Sequence, residues 1–341
     1  MSKSKNTEAI LQLGINYIHG LGVEKDPKKA VALFKEAADL GDVQAMIYLS
    51  ICYEYGVGVP EDIKKAHEFL FKAVVEFGEA VVLVLARTLL AGVITDKGIE
   101  KGIEIINEMA EGGIAEAQYF LGVFYTNGKY VKPDMELAIK WLTKAAKKGY
   151  AEAQCGLGCL YVDGLENPEY EKGVHFLKLA AKKGNAHAQY ALSKCYASGL
   201  GVRKNEKKAA ELCQLSADQG CADAQNTLGY FYAEGIGLPK DTKKAVEYLE
   251  LAGKQGNAKA QNSLGKMYAT GSLVRKNEKK AFEWFQKAAE QGDAAGQCSL
   301  GICYSLGLGV AKDDEKALKW WEKAAEQGNA KAKELLAKFN D

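Results

Sequence analysis

Glycine recurs along this chain at a nearly constant interval. Gly113, Gly149, Gly184, Gly220, Gly256, Gly292 and Gly328 are spaced 36, 35, 36, 36, 36 and 36 residues apart, and Gly41 and, after a slip of register, Gly78 extend the series backwards. A fixed period of roughly 20–50 residues means that one small supersecondary unit is stacked on copies of itself, since no single unit can bury its own apolar face. This excludes a single large core for the 341 residues and divides them into nine repeats, at about 6–41, 42–78, 79–113, 114–149, 150–184, 185–220, 221–256, 257–292 and 293–328, with a tail over 329–341.

A second glycine pattern sits inside each repeat. The stretch GLGVRKNEKKA from Gly199 resembles, on its own, a loop that cradles a phosphate. Close copies begin at Gly20, Gly56, Gly235 and Gly307, and looser ones at Gly128 and Gly271. A phosphate loop occurs once, between a strand and a helix. This element recurs and follows no strand-like run, so it is punctuation.

What it separates is two helices. The first half of each repeat places small or apolar residues at helical spacing, as in Ala260, Leu264 and Met267 or Tyr268. Asn6, Asp42, Asn185, Asn257, Asp293 and Asn329 precede such halves, with Tyr150 and Cys221 as weaker openers. The second halves follow Asp26, Asp62, Asn205, Asp241, Asn277 and Asp313. Asn and Asp accept from the free N–H groups of a first helical turn. The periodic glycine then takes the left-handed conformation that closes a helix. Each repeat is therefore helix A, a glycine turn and helix B. Gly14, Gly122, Gly158, Gly229, Gly265 and Gly301 fall inside helix A, and Ala30, Ala66, Ala138, Ala209, Ala245, Ala281 and Ala317 inside helix B. These small residues predict close approach of the two helices. Trp141, Trp284 and Trp320, three residues after such alanines, read as packing residues.

The pattern A-x-A-Q-x-x-L-G-x-x-Y-x-x-G-x-G-V-x-x-D/N-x-x-K-A, carried best by Ala115–Gly128, Ala222–Leu238 and Ala258–Gly271, resembles the Sel-one-like repeat family, a cousin of the tetratricopeptide repeat. The resemblance implies an all-α fold, an α-solenoid wound as a right-handed superhelix, that binds other proteins as an adaptor in signalling, stress response or host interaction. The third repeat departs from the pattern with Val81, Ala86, Leu89 and Gly102, and the fifth lacks the Gly-x-Gly turn, reading GLENPEYEKG from Gly164. VVLVL favours a strand by propensity, but its register predicts helix. The tail keeps Ala332, Leu336 and Ala337 in helix-A places and is expected to be a capping helix, which solenoids need at their ends.

Chemistry-bearing constellations are absent from the sequence. The four histidines, His19, His67, His175 and His187, fall in four repeats and form no ligand pair, so no metal and no cofactor is expected. The cysteines Cys52, Cys155, Cys159, Cys195, Cys213, Cys221, Cys298 and Cys303 have irregular spacing, which predicts small buried side chains in a reduced cytoplasmic protein, although export without a signal peptide stays open. Secreted cysteine-rich relatives implied by the resemblance, some with weak activity on β-lactams, carry bridging cysteines at a fixed spacing that this chain does not have. That leaves an enzyme of this type, and a self-assembling structural spacer, as alternatives to a non-enzymatic adaptor. Forty-five Lys and Arg against forty-four Asp and Glu give a net charge of +1, which provides no field for nucleic acid. No apolar run reaches membrane-spanning length, so no membrane insertion is expected.

The expected ligand is a protein or peptide segment held on a concave face lined by helix A. With the recurrent helix-A leucine turned inward, the residues two before and two after it face the groove. These are Leu11 and Ile15, Ile47 and Ile51, Leu83 and Arg87, Tyr119 and Val123, and Cys155 and Cys159 in the first five repeats. Then follow Tyr190 and Lys194, Asn226 and Tyr230, Asn262 and Lys266, and Cys298 and Ile302. The face is expected to be apolar in the first half and polar, weakly basic, in repeats six to eight.

Overall fold

The structure, a computed structural model, describes residues 2–77, 81, 84 and 96–340. Among these residues every regular element is helical. The chain divides into two compact units, Met1–Leu157 and Gly158–Asp341. The first contains α1 (Ser2–His19), α2 (Pro27–Asp39), α3 (Val43–Glu54), α4 (Ile63–Phe77), α5 (Asp96–Glu111), α6 (Ala115–Asn127), α7 (Met135–Lys147) and most of α8 (Ala151–Cys159). The second contains a π-helical turn (Leu160–Gly164), α9 (Tyr170–Lys182), α10 (Ala186–Ser198), α11 (Glu206–Asp218), α12 (Ala222–Glu234), α13 (Thr242–Lys254), α14 (Ala258–Thr270), α15 (Glu278–Glu290), α16 (Ala294–Leu306), α17 (Asp314–Glu326) and α18 (Ala330–Asn340). Among the described residues within each unit, helix A packs on the helix B that follows it, as α6 does on α7 and α12 on α13, and helix B on the next helix A, as α2 does on α3 and α13 on α14. This is the α-solenoid expected from the repeat. Of the VVLVL stretch, Val81 and Val84 are helical and the rest lies outside the described residues.

The expected helix-B caps form, and Asp134, which the sequence reading did not name, is a further one. Asp26, Asp62, Asp134, Asn205, Asp241, Asn277 and Asp313 each accept from the backbone N–H three residues on, at 2.9–3.1 Å, and so open their B helices. Asp42, Asn185, Asn257, Asp293 and Asn329 do the same for A helices. Cys221 stands at a cap with no side-chain bond. Asn6 is a correction: α1 starts at Ser2, so Asn6 lies within the helix.

Two glycine roles are visible. A Cβ on Gly229 would sit 2.7 Å from Leu249 Cγ, and one on Gly265 2.5 Å from Phe285 Cδ1. The helix-A glycine thus makes room for the large residue four places after the helix-B alanine, so it is a bulky side chain that fills the space, with the alanine beside it. In the turn, Gly237 (φ 69°) lies so close to the Glu206 carbonyl that any Cβ would overlap it. The second glycine of Gly-x-Gly therefore lets the A–B turn of one repeat sit on the start of helix B of the repeat before. Where the fifth repeat lacks this turn, α8 runs on into the π-helical segment.

Trp141 and Trp321 are buried, and Trp284 and Trp320 are half-buried against the core. Lys144, Lys287 and Lys323 lie over the Trp141, Trp284 and Trp320 rings at 3.9, 4.6 and 4.6 Å. In α18, Ala332 is fully buried with Leu335 and Leu336 packed beside it, while Lys331 and Lys338 pair with Glu334 on the other side. Among the described residues no helix is long and apolar enough to cross a membrane.

Candidate protein-binding face

The residues two before and two after the helix-A leucine do not form one class. Those before it are largely consumed by packing. Leu11, Ile47, Cys155, Asn262 and Cys298 are buried, and only Tyr119, Tyr190 and Asn226 stay half-open. Those after it are open in every described repeat: Ile15, Ile51, Val123, Cys159 and Ile302 are half-buried, and Lys194, Tyr230 and Lys266 are exposed. Leu83 and Arg87 lie outside the described residues. The leucine itself is buried in α3, α6, α8, α10, α12, α14 and α16, but Leu13 of α1 is 39% exposed.

Helical geometry explains the split. Residues four apart share a face, but adjacent A helices lean together over one end of it. Cross-repeat hydrogen bonds record the lean. Tyr190 and Thr227 meet hydroxyl to hydroxyl at 3.3 Å, and the Ser299 hydroxyl donates to Asn262 Oδ1 at 3.2 Å. Further along the face, Lys194 pairs with Asp163 of the π-helical segment at 3.4 Å. Partial burial of Lys194 opposes its charge, but Asp163 outweighs it and the ammonium pKa is raised.

In the second unit a cavity of about 410 Å³ opens between α12 and α14, lined in part by Asn226, Tyr230, Ser263, Met267, Leu249 and Leu273. Two of these, Asn226 and Tyr230, belong to the face expected from the sequence; the other four escaped that reading. One signal was present: Leu273 stands where five other repeats have the second turn glycine, at Gly22, Gly58, Gly201, Gly237 and Gly309.

Six of the eight cysteines are packing residues. Cys52, Cys155, Cys195, Cys213, Cys298 and Cys303 are buried, and burial pushes the Cys52 and Cys213 thiols up to about 12 and those of Cys195 and Cys303 to about 11. Such thiols are poor nucleophiles and ligands at neutral pH. Among the described residues no three His, Cys, Asp or Glu side chains gather as metal ligands.

The Sel1 repeat model matches residues 7–42, 43–74, 115–150, 151–185, 186–221, 222–257, 258–293 and 294–329. This chain belongs to the Sel1 repeat family. The third repeat, about 79–113, has no match. Among solved structures, a Sel1 repeat protein from Oxalobacter formigenes is 30% identical, with a TM-score of 0.62 over 98% of this chain and 86% of its own. A protective antigen present in uropathogenic Escherichia coli strains, with the Sel1-like repeat fold, is 29% identical, with a TM-score of 0.51 over 99% of this chain and 80% of its own. No curated protein matches this chain. The Sel1 repeat is commonly a protein-interaction scaffold.

Proposed function

We propose that this Sel1 repeat protein is a non-catalytic cytoplasmic adaptor that holds an extended segment of another protein along its helix-A faces. The observation that carries the reading is the run of open side chains two places after the helix-A leucine. Ile15, Ile51 and Val123 present one apolar series in the first unit, and Lys194, Tyr230 and Lys266 a polar, weakly basic one in the second. Stacked repeats put equivalent side chains at regular steps, which suits a ligand with a repeating backbone. A segment covering several repeats buries about 1,000 Å² or more, the lower range for a specific interface. Affinity then depends on anchor residues and on the cost of ordering the segment, not on area. The cytoplasmic assignment rests on thiols placed as core side chains at irregular spacing.

Selection of a displayed random-peptide library on the immobilised protein, followed by titration of the enriched peptides, is the test. Enriched peptides should bind the Lys194→Ala, Tyr230→Ala double variant about tenfold or more weakly, a loss of about 1.4 kcal/mol. No enrichment, or equal binding by wild type and variant, removes this reading. A count below eight thiols in denatured, unreduced protein removes the cytoplasmic part.

A further inference from the structure

The cavity between α12 and α14 coincides with three departures from the packing of the neighbouring repeats of the second unit. The first is the hydrogen bond that ties one helix A to the next. It joins Tyr190 to Thr227 and Asn262 to Ser299, residues 37 apart. The same step from Asn226 leads to Ser263, and there the bond is missing. Neither side chain has a hydrogen-bond partner among the described residues, and both line the cavity. The second is the place three residues after the helix-A leucine. Cys52, Phe124, Leu160, Cys195, Phe231 and Cys303 are buried there, whereas Met267 is only half-buried and faces the opening. The third is the turn. Gly201, Gly237 and Gly309 take positive φ and nest against the preceding helix B, whereas Leu273 has no positive φ and walls the cavity.

We infer that this cavity is a pocket for one aromatic side chain of the bound segment, with Asn226 pairing the amide backbone beside it; the inference rests on the segment-binding reading above. Asn226 has both an amide donor and a carbonyl acceptor free, the complement of a peptide group's carbonyl and N–H. The floor, Leu249 and Met267 with Ala233, is apolar. Met267 is flexible and polarisable, and thioether sulfur makes favourable contacts at an aromatic edge. The exposed Tyr230 ring adds a second aromatic partner at the mouth. A volume of about 410 Å³ leaves an aliphatic side chain loosely held and has room for a ring together with its neighbouring amide. The mouth carries one carboxylate and one ammonium, Glu234 and Lys240, with no net charge, which suits a neutral side chain over an acidic or basic one.

The five methionines give a direct readout. With the full chain labelled at its methionine methyl groups, N-acetyl-tryptophanamide should shift the Met267 signal in a saturable way and leave Met46, Met109 and Met135 unmoved. N-acetyl-leucinamide should need at least about threefold more ligand, and Asn226→Ala should weaken the tryptophan amide about tenfold, as loss of a paired amide predicts. Asn226 is half-exposed, so this variant keeps the fold; Ser263→Leu, which fills the cavity, should abolish the shift. An unmoved Met267 signal, equal response to the two amides, or full binding by Asn226→Ala overturns the pocket. The two readings fail separately. Enriched library peptides that leave Met267 unmoved remove the pocket and keep the segment-binding face. A Met267 shift by the small amide with no enriched peptide removes the face and leaves a small-molecule site.

Discussion

The two units solve one packing problem differently. In repeats four to nine a glutamine on helix A reaches back to a carbonyl near the end of the preceding helix B. In the second unit this glutamine is also met from its own helix B. Gln219, Gln255, Gln291 and Gln327 donate to Gln189, Gln225, Gln261 and Gln297 at 2.7–2.8 Å, while the acceptors donate in turn to the carbonyls of Ala181, Ala217, Gly253 and Ala289. Each chain of bonds clamps one helix A between two B-helix ends. In the first unit Gln118 and Gln154 make the carbonyl bond, at 2.9 and 3.1 Å, but their Oε1 atoms are buried without a partner. The residue thirty after Gln118 is Lys148, whose Nζ donates to the Gly113 carbonyl instead. Further back, the same helix-A place holds Ile10 and Met46, which are simply packed. The difference teaches that a half-completed polar network is worse than a completed one or an apolar one, because an orphaned buried acceptor costs about 1–3 kcal/mol while a made bond returns only about 1.

Removing the glutamine should therefore cost the two units unequally. Gln261→Met breaks both the bond to the Gly253 carbonyl, which keeps its backbone partner Gly256, and the bond from Gln291, and is expected to destabilise α14 and α15 by about 2 kcal/mol, two bonds at about 1 each. Gln118→Met loses one bond and relieves one orphan, so it should cost less than about 1 kcal/mol. In a solenoid such losses stay local, so hydrogen exchange of the flanking helix amides is the measurement. Equal losses at the two sites would show that the second donor contributes nothing.

The reverse experiment builds the missing half. Lys148→Gln supplies the donor that Gln118 lacks and should stabilise α6 and α7 by about 1 kcal/mol, the worth of one satisfied buried acceptor. The gain should vanish when Gln118→Met is present as well, so a double-mutant cycle gives a coupling energy of about the same size. A gain that persists without Gln118 would assign it to removal of the lysine instead.

Much of this architecture is legible in the sequence because it is local. Asp26, Asn205 and their equivalents bond three residues ahead, and a periodic glycine needs only its own φ, so period, caps and helix order follow from spacing. The face was half legible. Helical geometry places Asn262 and Lys266 on one side, but whether a side chain on that side stays open depends on how far the next helix A leans over it. That lean buries Asn262 under Ser299 and leaves Lys266 exposed. The cavity depends on three substitutions in different elements, Asn226, Ser263 and Leu273, none of which breaks a local rule strongly enough to stand out. The glutamine bridges join residues thirty apart and were likewise invisible to a reading of periods.

The smallest expected effect comes from acid, and it follows from cap chemistry. Every described helix-B cap of the first unit with a side-chain bond is an aspartate: Asp26, Asp62 and Asp134. The second unit alternates Asn205, Asp241, Asn277 and Asp313. The backbone N–H groups of Lys29, Lys65 and Lys316 hold the Asp26, Asp62 and Asp313 carboxyls below the ordinary value of 3.8. A carboxyl whose pKa is lower in the folded chain contributes stability that is present above the unfolded value and is lost as pH falls through the folded one. Asparagine caps do not titrate. Between pH 6 and pH 3, hydrogen exchange, corrected for its intrinsic pH dependence, should therefore show α2 and α4 losing protection while α11 and α15 keep theirs, with α17, capped by Asp313, following the first pair. Asp26→Asn and Asp62→Asn should remove the difference while leaving the neutral-pH fold unchanged, since asparagine caps a helix as well as aspartate does. Loss at α11 and α15 equal to that at α2 and α4 would mean that acid acts through charges other than the caps, and the contrast between the units would then rest on the glutamines alone.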